Sequence, residues 1–184
     1  PVSGLLAPAE SRPLQGVPVP VSVPGAKMSL FSAERAWHVA GTSSATMEDV
    51  SKATSEFAES VAVVTVKKDG KLNAMTAAWA IPVSHRPALV VVHIAPQRFT
   101  HDIIMETKEF GLSILAEDQV EASQHAGTLS GRKVDKFEGD TLKAKPSKLI
   151  DTPVLEGCSA TMECKLEKAI AMGDHTIFVG RVVA

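Results

Sequence analysis

The chain has 184 residues, 45% of them hydrophobic and 22% charged, with a formal net charge of −2 at pH 7. That length allows one or two domains with a self-sufficient core, and no run of about 18 apolar residues occurs, which excludes a helical membrane span. Two cysteines exclude a disulfide scaffold and a four-cysteine zinc site, and the near-neutral balance argues against nucleic acid as a partner. The expectation is a soluble, cytoplasmic globular protein.

Residues 1–45 read as an extended N-terminal arm. Pro1, Pro8, Pro13, Pro18, Pro20 and Pro24 fall within it, six of the 11 prolines in the chain. Proline lacks the backbone donor and resists both helix and central strand. A basic start and a continuous apolar region, the marks of a secretory signal, are missing, and Met28 stands as a candidate natural first residue.

From residue 46 to 184 the chain reads as one domain. Thr46–Ser60 has helical spacing, with Thr46 as N-cap, Glu48 and Asp49 in the first turn, and Val50, Ala53, Phe57 and Val61 as an apolar stripe. Val61–Val66 is β-branched, Asp69-Gly70 is a hairpin signal, and Lys71–Trp79 returns. Ala88–Ile94 is a continuous apolar run, the pattern of a strand buried on both faces. A short helix over Asp102–Thr107, a strand over Phe110–Leu115 and a second short helix over Asp118–Gln124 follow. Glycines and charges mark Gly127–Asp140 as loop. A long strand, Cys158–Glu167, a turn at Met172-Gly173-Asp174 and a strand over Thr176–Val183 close the chain. About six strands with two or three short helices predict a mostly β fold, a closed or nearly closed antiparallel barrel with Greek-key-like connections. Cys158 and Cys164 share one predicted strand, roughly 20 Å apart. A disulfide needs Cα atoms within about 7 Å, so both read as reduced packing residues in a reducing compartment.

No catalytic triad, HExxH or glycine-rich phosphate motif is present, and the six histidines lack metal-ligand spacing, so no metal site is expected. Three local features bear on chemistry. Asn73-Ala74-Met75-Thr76-Ala77-Ala78-Trp79 is a strand of small residues along which a flat, hydrogen-bonding ring can lie; a tightly packed barrel strand with Trp79 as a core aromatic is the alternative. Gln97-Arg98-Phe99-Thr100-His101-Asp102 sets an arginine and a threonine at a helix start, two independent means of holding an anion, or else an ordinary cap with a solvated arginine. The loop Ser130-Gly131-Arg132-Lys133-Val134-Asp135-Lys136-Phe137 can hold a phosphate-bearing ligand and His175 can sit over a pocket, unless each is an ordinary loop or turn residue.

Taken in order, these features resemble the flavin reductase-like, flavoredoxin-type FMN-binding split-barrel family. The resemblance runs from about Val61 to Ala184. It rests on Thr65, Asp69-Gly70, Asn73 to Trp79, Val83-Ser84 before Pro87, Arg98 with Thr100-His101, Phe110 to Leu115, Gln119, Ser130-Gly131 with Asp135-Lys136-Phe137, and Gly173-Asp174-His175 before Phe178-Val179-Gly180. It implies a homodimer with FMN near the subunit interface. Asn73, Met75, Thr76, Ala77, Ala78, Trp79 and Ser84 would line the isoalloxazine and ribityl chain. Arg98 and Thr100 would hold the phosphate with His101 nearby, Ser130 and Lys136 would stand on the flavin or nicotinamide side, and His175 would face the nicotinamide.

The implied activity is hydride transfer from NADH or NADPH to FMN, with onward transfer to a partner monooxygenase or another acceptor. The alternative is an FMN-binding electron carrier reduced by a partner protein. Family members usually continue past the last strand into a tail with aromatic residues, whereas this sequence ends at Ala184 and has no tyrosine. A fragment end at that point would explain the difference.

Overall fold

The computed structural model describes residues 46–184, and the predicted N-terminal arm lies outside the described residues. The domain begins with helix α1 (Met47–Ser55), shorter than the expected Thr46–Ser60. Strands β1 (Ala62–Lys68) and β2 (Lys71–Ala77) form a hairpin, paired from Ala62 opposite Ala77 to Lys68 opposite Lys71. Its turn holds Asp69 and Gly70 at φ of 50° and 77°, the left-handed pair that a two-residue hairpin loop requires. Strand β3 (Ala80–His85), for which the sequence pattern predicts no element, follows and pairs with β4 (Ala88–Ile94).

Helix α2 (Phe99–Thr107) starts three residues earlier than its predicted range and leads into β5 (Glu109–Ile114). Helix α3 (Val120–Thr128) precedes a loop, the two-residue strands β6 (Ala144–Lys145) and β7 (Val154–Leu155), and the long hairpin of β8 (Ala160–Met172) with β9 (His175–Val182). Cys158 lies just before β8 rather than in it, and both cysteines are free thiols.

All seven longer strands form one antiparallel sheet in the order β2-β1-β5-β8-β9-β4-β3. A single buried cluster takes residues from every one of them. It includes Val64 of β1, Ala77 of β2, Ala80 of β3, Val92 of β4, Phe110 of β5, Cys164 of β8 and Phe178 of β9. A flat sheet cannot bring its two edge strands to one core, so this sheet curls into a split barrel. Helix α2 packs on β1 and β2 and contributes Ile103 and Ile104 to the same cluster.

A second, smaller cluster forms on the outside of the hairpin, where Val63 and Ala74 pack beneath Ala122 and Ala126 of α3 with Leu142 and Leu155. Burial on both faces suits the β-branched stretch from Val63 to Val66 in β1. On β9 the alternation is clean, with Thr176 and Phe178 buried and His175 and Ile177 on the opposite face. On β4, by contrast, Val90, Val91 and Val92 are all buried, so the apolar run is covered on both faces at its centre, and His93 is half-buried. No helix among the described residues is long and apolar enough to cross a membrane.

Candidate active site

A cleft of about 220 Å³ opens on the barrel wall where β2 ends and β4 and β9 meet. It is lined by Met75 to Trp79, His93 to Ala95, Arg98, Gly127 and His175. The sequence explains each placement. β2 is an edge of the sheet, with β1 as its single neighbour, so alternate main-chain N–H and C=O groups turn away from any strand partner. Small side chains at Ala77 and Ala78 leave that edge approachable. The amide of His93 donates to the carbonyl of Trp79 (3.0 Å), which ties the strand exit to β4. Arg98 is the residue before α2, in extended conformation, and forms no ion pair with any described residue. The first-turn amides behind it are unsatisfied within the helix, as at any helix start.

Aromatic rings build the wall. Trp79, 45% exposed, packs against His175 with ring centroids 4.9 Å apart and against His93 at 6.1 Å. Asp174 accepts a hydrogen bond from Nδ1 of His175 (2.7 Å), which holds the Asp174 carboxyl below its ordinary range. Burial lowers the pKa of His93, and the neighbouring His175 lowers it further, so its neutral form is favoured. His93 was read only as part of a strand, because a single histidine in an apolar run carries no outward sign of a site.

Several candidate residues lie elsewhere. The hydroxyl of Thr100 is buried and accepts a hydrogen bond from Nδ2 of Asn73 (2.9 Å), a joint between β2 and the start of α2. Gly131 passes directly over that joint; a Cβ there would stand 2.0 Å from Asn73 Oδ1, so only glycine fits. His101 turns into the barrel end, with Nε2 2.9 Å from Thr176 Oγ1 and its ring edge-on to Phe178. The Thr76 hydroxyl donates to the carbonyl of Ser123 in α3 (2.6 Å), so Thr76 lines the cleft while anchoring the helix.

Lys136 is buried, 3% exposed, with Nζ donating to the carbonyls of Ala74 (2.7 Å) and Ala126 (2.8 Å). Ser84 lies on β3 beside an irregularity in the β3–β4 register, and Ser130 is exposed at the head of its loop. Neither lines the cleft.

A larger hollow, about 700 Å³, lies between the β1–β2 turn and the 131–135 loop. There the Arg132 guanidinium stacks 4.8 Å over the Phe99 ring and donates to Asp102 (2.6 Å). Size alone favours this hollow. The smaller cleft is the better site because an unpaired strand edge, a ring wall and a free guanidinium converge there.

The arrangement suits a flat heteroaromatic ring with an anionic tail. Main-chain donors and acceptors can read the ring edge, Trp79 and His175 can flank it, and Arg98 can pair with a phosphate.

Comparison with known proteins places the chain in a family. The flavin reductase like domain matches residues 54–184, and the chain belongs to that family. It is 39% identical over 113 residues to an uncharacterized protein of Archaeoglobus fulgidus, covering 61% of this chain and 64% of that one. It is 32% identical over 137 residues to an NADH-dependent flavin reductase of Rhodococcus, covering 71% and 72% of the two chains. Among solved structures, the NADH:FAD oxidoreductase SgcE6 of Streptomyces globisporus, in complex with NAD and FAD fragments, superposes with a TM-score of 0.68. That match has 29% identity and covers 74% of this chain and 79% of that one. The chain spans less than two thirds of the length of the first curated relatives it matches. The fold expected from the sequence, a mostly antiparallel split barrel with short helices, is the fold observed.

Proposed function

We propose that the chain is a flavin-dependent oxidoreductase that binds FMN in the cleft and takes hydride from NADH or NADPH. The onward acceptor would be a partner monooxygenase or another oxidant. The observation that carries this reading is the convergence of the free edge of β2, the Trp79–His175 wall and the Arg98 guanidinium on one opening. When bound, FMN supplies the two-electron chemistry; the protein's share is binding and orientation. Arg98 holds the phosphate, and the β2 edge from Met75 to Ala78 fixes the ring through its main chain. Trp79 limits water at the exposed face, and His175, oriented by Asp174, takes the nicotinamide side. Asn73, Thr100, His101 and Lys136 act behind these residues by holding β2, α2 and α3 in register.

A cleft of 220 Å³ is smaller than the roughly 300–1,000 Å³ typical of a site that encloses a drug-sized ligand. A homodimer answers this, with the second copy covering the open side. Exposed Ile81 and Val83 on the edge strand β3, beside Trp79, supply an apolar surface for it. The free state of Cys158 and Cys164 accords with a cytoplasmic location.

The test is an absorbance spectrum of the protein loaded with FMN, taken anaerobically before and after NADH or NADPH. Bleaching of the visible flavin band on the turnover time scale is expected. Colour that persists with both nicotinamides would overturn the reductase assignment and make the chain an electron carrier. Failure to take up either FMN or FAD would remove the flavin reading altogether.

A further inference from the structure

The larger hollow of about 700 Å³, between the β1–β2 turn and the 131–135 loop, takes no part in the proposed hydride transfer. Its size falls within the range of roughly 300–1,000 Å³ common to small-molecule sites. Two ion pairs border it. Lys68 reaches Glu106 (2.5 Å) and Arg132 reaches Asp102 (2.6 Å), and these two acids stand one turn apart on α2. Helix α2 is thereby fastened both to the hairpin and to the loop, and Lys68 and Arg132 are neutralised.

The charges left over are balanced. Lys71 and Lys133 line the hollow and form no ion pair or side-chain hydrogen bond among the described residues. Asp69 and Asp135 line it too, again without an ion pair, and Asp135 accepts a hydrogen bond from the amide of Phe137 (2.9 Å) through one oxygen alone. Two ammoniums and two carboxylates favour neither an anion nor a cation. They suit a molecule that carries one of each. Leu72, Phe99, Ile103 and Val134 make the rest of the lining apolar, so that molecule also needs an apolar body. Asn73 adds a demand of its own. It lines the hollow at 2% exposure, its Nδ2 is spent on Thr100, and its Oδ1, close under Gly131, has no donor. Buried acceptors in folded proteins nearly always find a donor, and an ammonium offers three.

We propose that this hollow is a second ligand site, built for the zwitterion of an α-amino acid with a large apolar side chain. Lys71 and Lys133 receive the carboxylate. Asp69 and Asp135 draw the ammonium and, as Gly131 shifts aside, so does Oδ1 of Asn73. Leu72, Ile103 and Val134 hold the side chain. The site stands apart from the flavin reading. Phe99 lines the hollow and Arg98, its neighbour in the chain, lines the cleft, so the two sites adjoin without sharing a residue.

The probe is L-phenylalanine, titrated by calorimetry into FMN-loaded, oxidised protein without nicotinamide. Saturable binding with FMN retained is expected. Hydrocinnamate lacks the ammonium and phenethylamine lacks the carboxylate, so each should bind at least tenfold more weakly, the loss of one charge-assisted contact. Lys71→Ala combined with Lys133→Ala, both on exposed side chains, should weaken phenylalanine binding by a similar factor. Lys168→Ala, exposed on β8, should change nothing. FMN-loaded protein that ignores phenylalanine, binds either analogue equally well, or is indifferent to the paired lysine substitutions would overturn the amino-acid site alone. Displacement of FMN by phenylalanine would overturn it too, by making the hollow part of the flavin site. Protein that takes up no FMN yet binds phenylalanine with this pattern would keep the site and overturn the flavin reading.

Discussion

The ammonium of Lys136 lies 2.7 Å from the carbonyl oxygen of Ala74, beneath the strand whose next residues line the cleft. Its second acceptor, Ala126, is near the end of α3, and His125 Nε2 is 2.9 Å from the carbonyl of Lys136 itself. Lys136 thereby fastens the 130–137 loop and α3 to the back of β2. Burial without a carboxylate partner brings its pKa down from 10.5 to about 8. In the unfolded chain the ordinary value returns, so between about pH 8 and 10.5 the unfolded state binds more protons and stability rises with pH. The gain is at most about 3 kcal/mol. A neutral amine keeps two hydrogens, one for each carbonyl, so neither hydrogen bond is lost on the way. Lys136→Met would destabilise the domain by stranding both acceptors, and the gap in melting temperature from wild type should widen from pH 7 to pH 9.5. A gap that narrows with pH would contradict this account.

Arg98 is exposed and forms no ion pair with any described residue, so removing it should leave the fold intact. Arg98→Ala is expected to weaken FMN binding by about 10- to 150-fold, the loss of one charge-assisted contact of roughly 1.5–3 kcal/mol. Fluorescence titration of FMN into wild type and variant measures it directly. Equal affinities would show that the phosphate is held elsewhere.

How much of this was legible in the sequence follows from the range of the interactions involved. The Asp69-Gly70 turn, the run from Ala88 to Ile94 and the small-residue strand were readable because turn chemistry and apolar patterning act over a few residues. β3 was missed because Pro82 and Pro87 look like loop punctuation, yet an edge strand tolerates a residue without an N–H donor. The two-residue strands β6 and β7 pair with each other across the 146–153 segment and carry no local pattern. At the candidate site, Arg98 and Met75 to Trp79, singled out by their sequence context, are brought by the fold to one cleft. The burial of Thr100 and Lys136 was not legible, because it depends on chain segments 27 and 62 residues away. A buried lysine looks like a solvated one until its acceptors are known. His93 acquires meaning only when β9 brings His175 beside it.

Gly131→Ala tests the joint between β2 and α2. The added methyl would meet Asn73 Oδ1 at 2.0 Å and the Phe99 ring at 3.3 Å, and Asn73 is already held by Thr100. Relief requires the loop to lift, at a cost of about 1–3 kcal/mol. A lower midpoint in urea with an unchanged slope is the expected result, and full stability would show that Asn73 is free to move.

The two thiols should differ in reactivity. Cys164 is fully buried in the barrel core, and burial, with Glu163 beside it, pushes its pKa up to about 12. Cys158 is half-buried, and its pKa is raised by burial while contacts with Gln119 and Ser113 pull it back. The thiolate is the nucleophile, so iodoacetamide at pH 8 should modify Cys158 slowly and Cys164 only after the barrel opens. Peptide mapping by mass spectrometry after timed labelling would separate the sites, with the labelling rate of Cys164 rising in urea in step with global unfolding. Fast modification of Cys164 in the native state would mean that the strand carrying it opens locally, and that the barrel core at β5, β8 and β9 is looser than its packing of Phe110 and Phe178 implies.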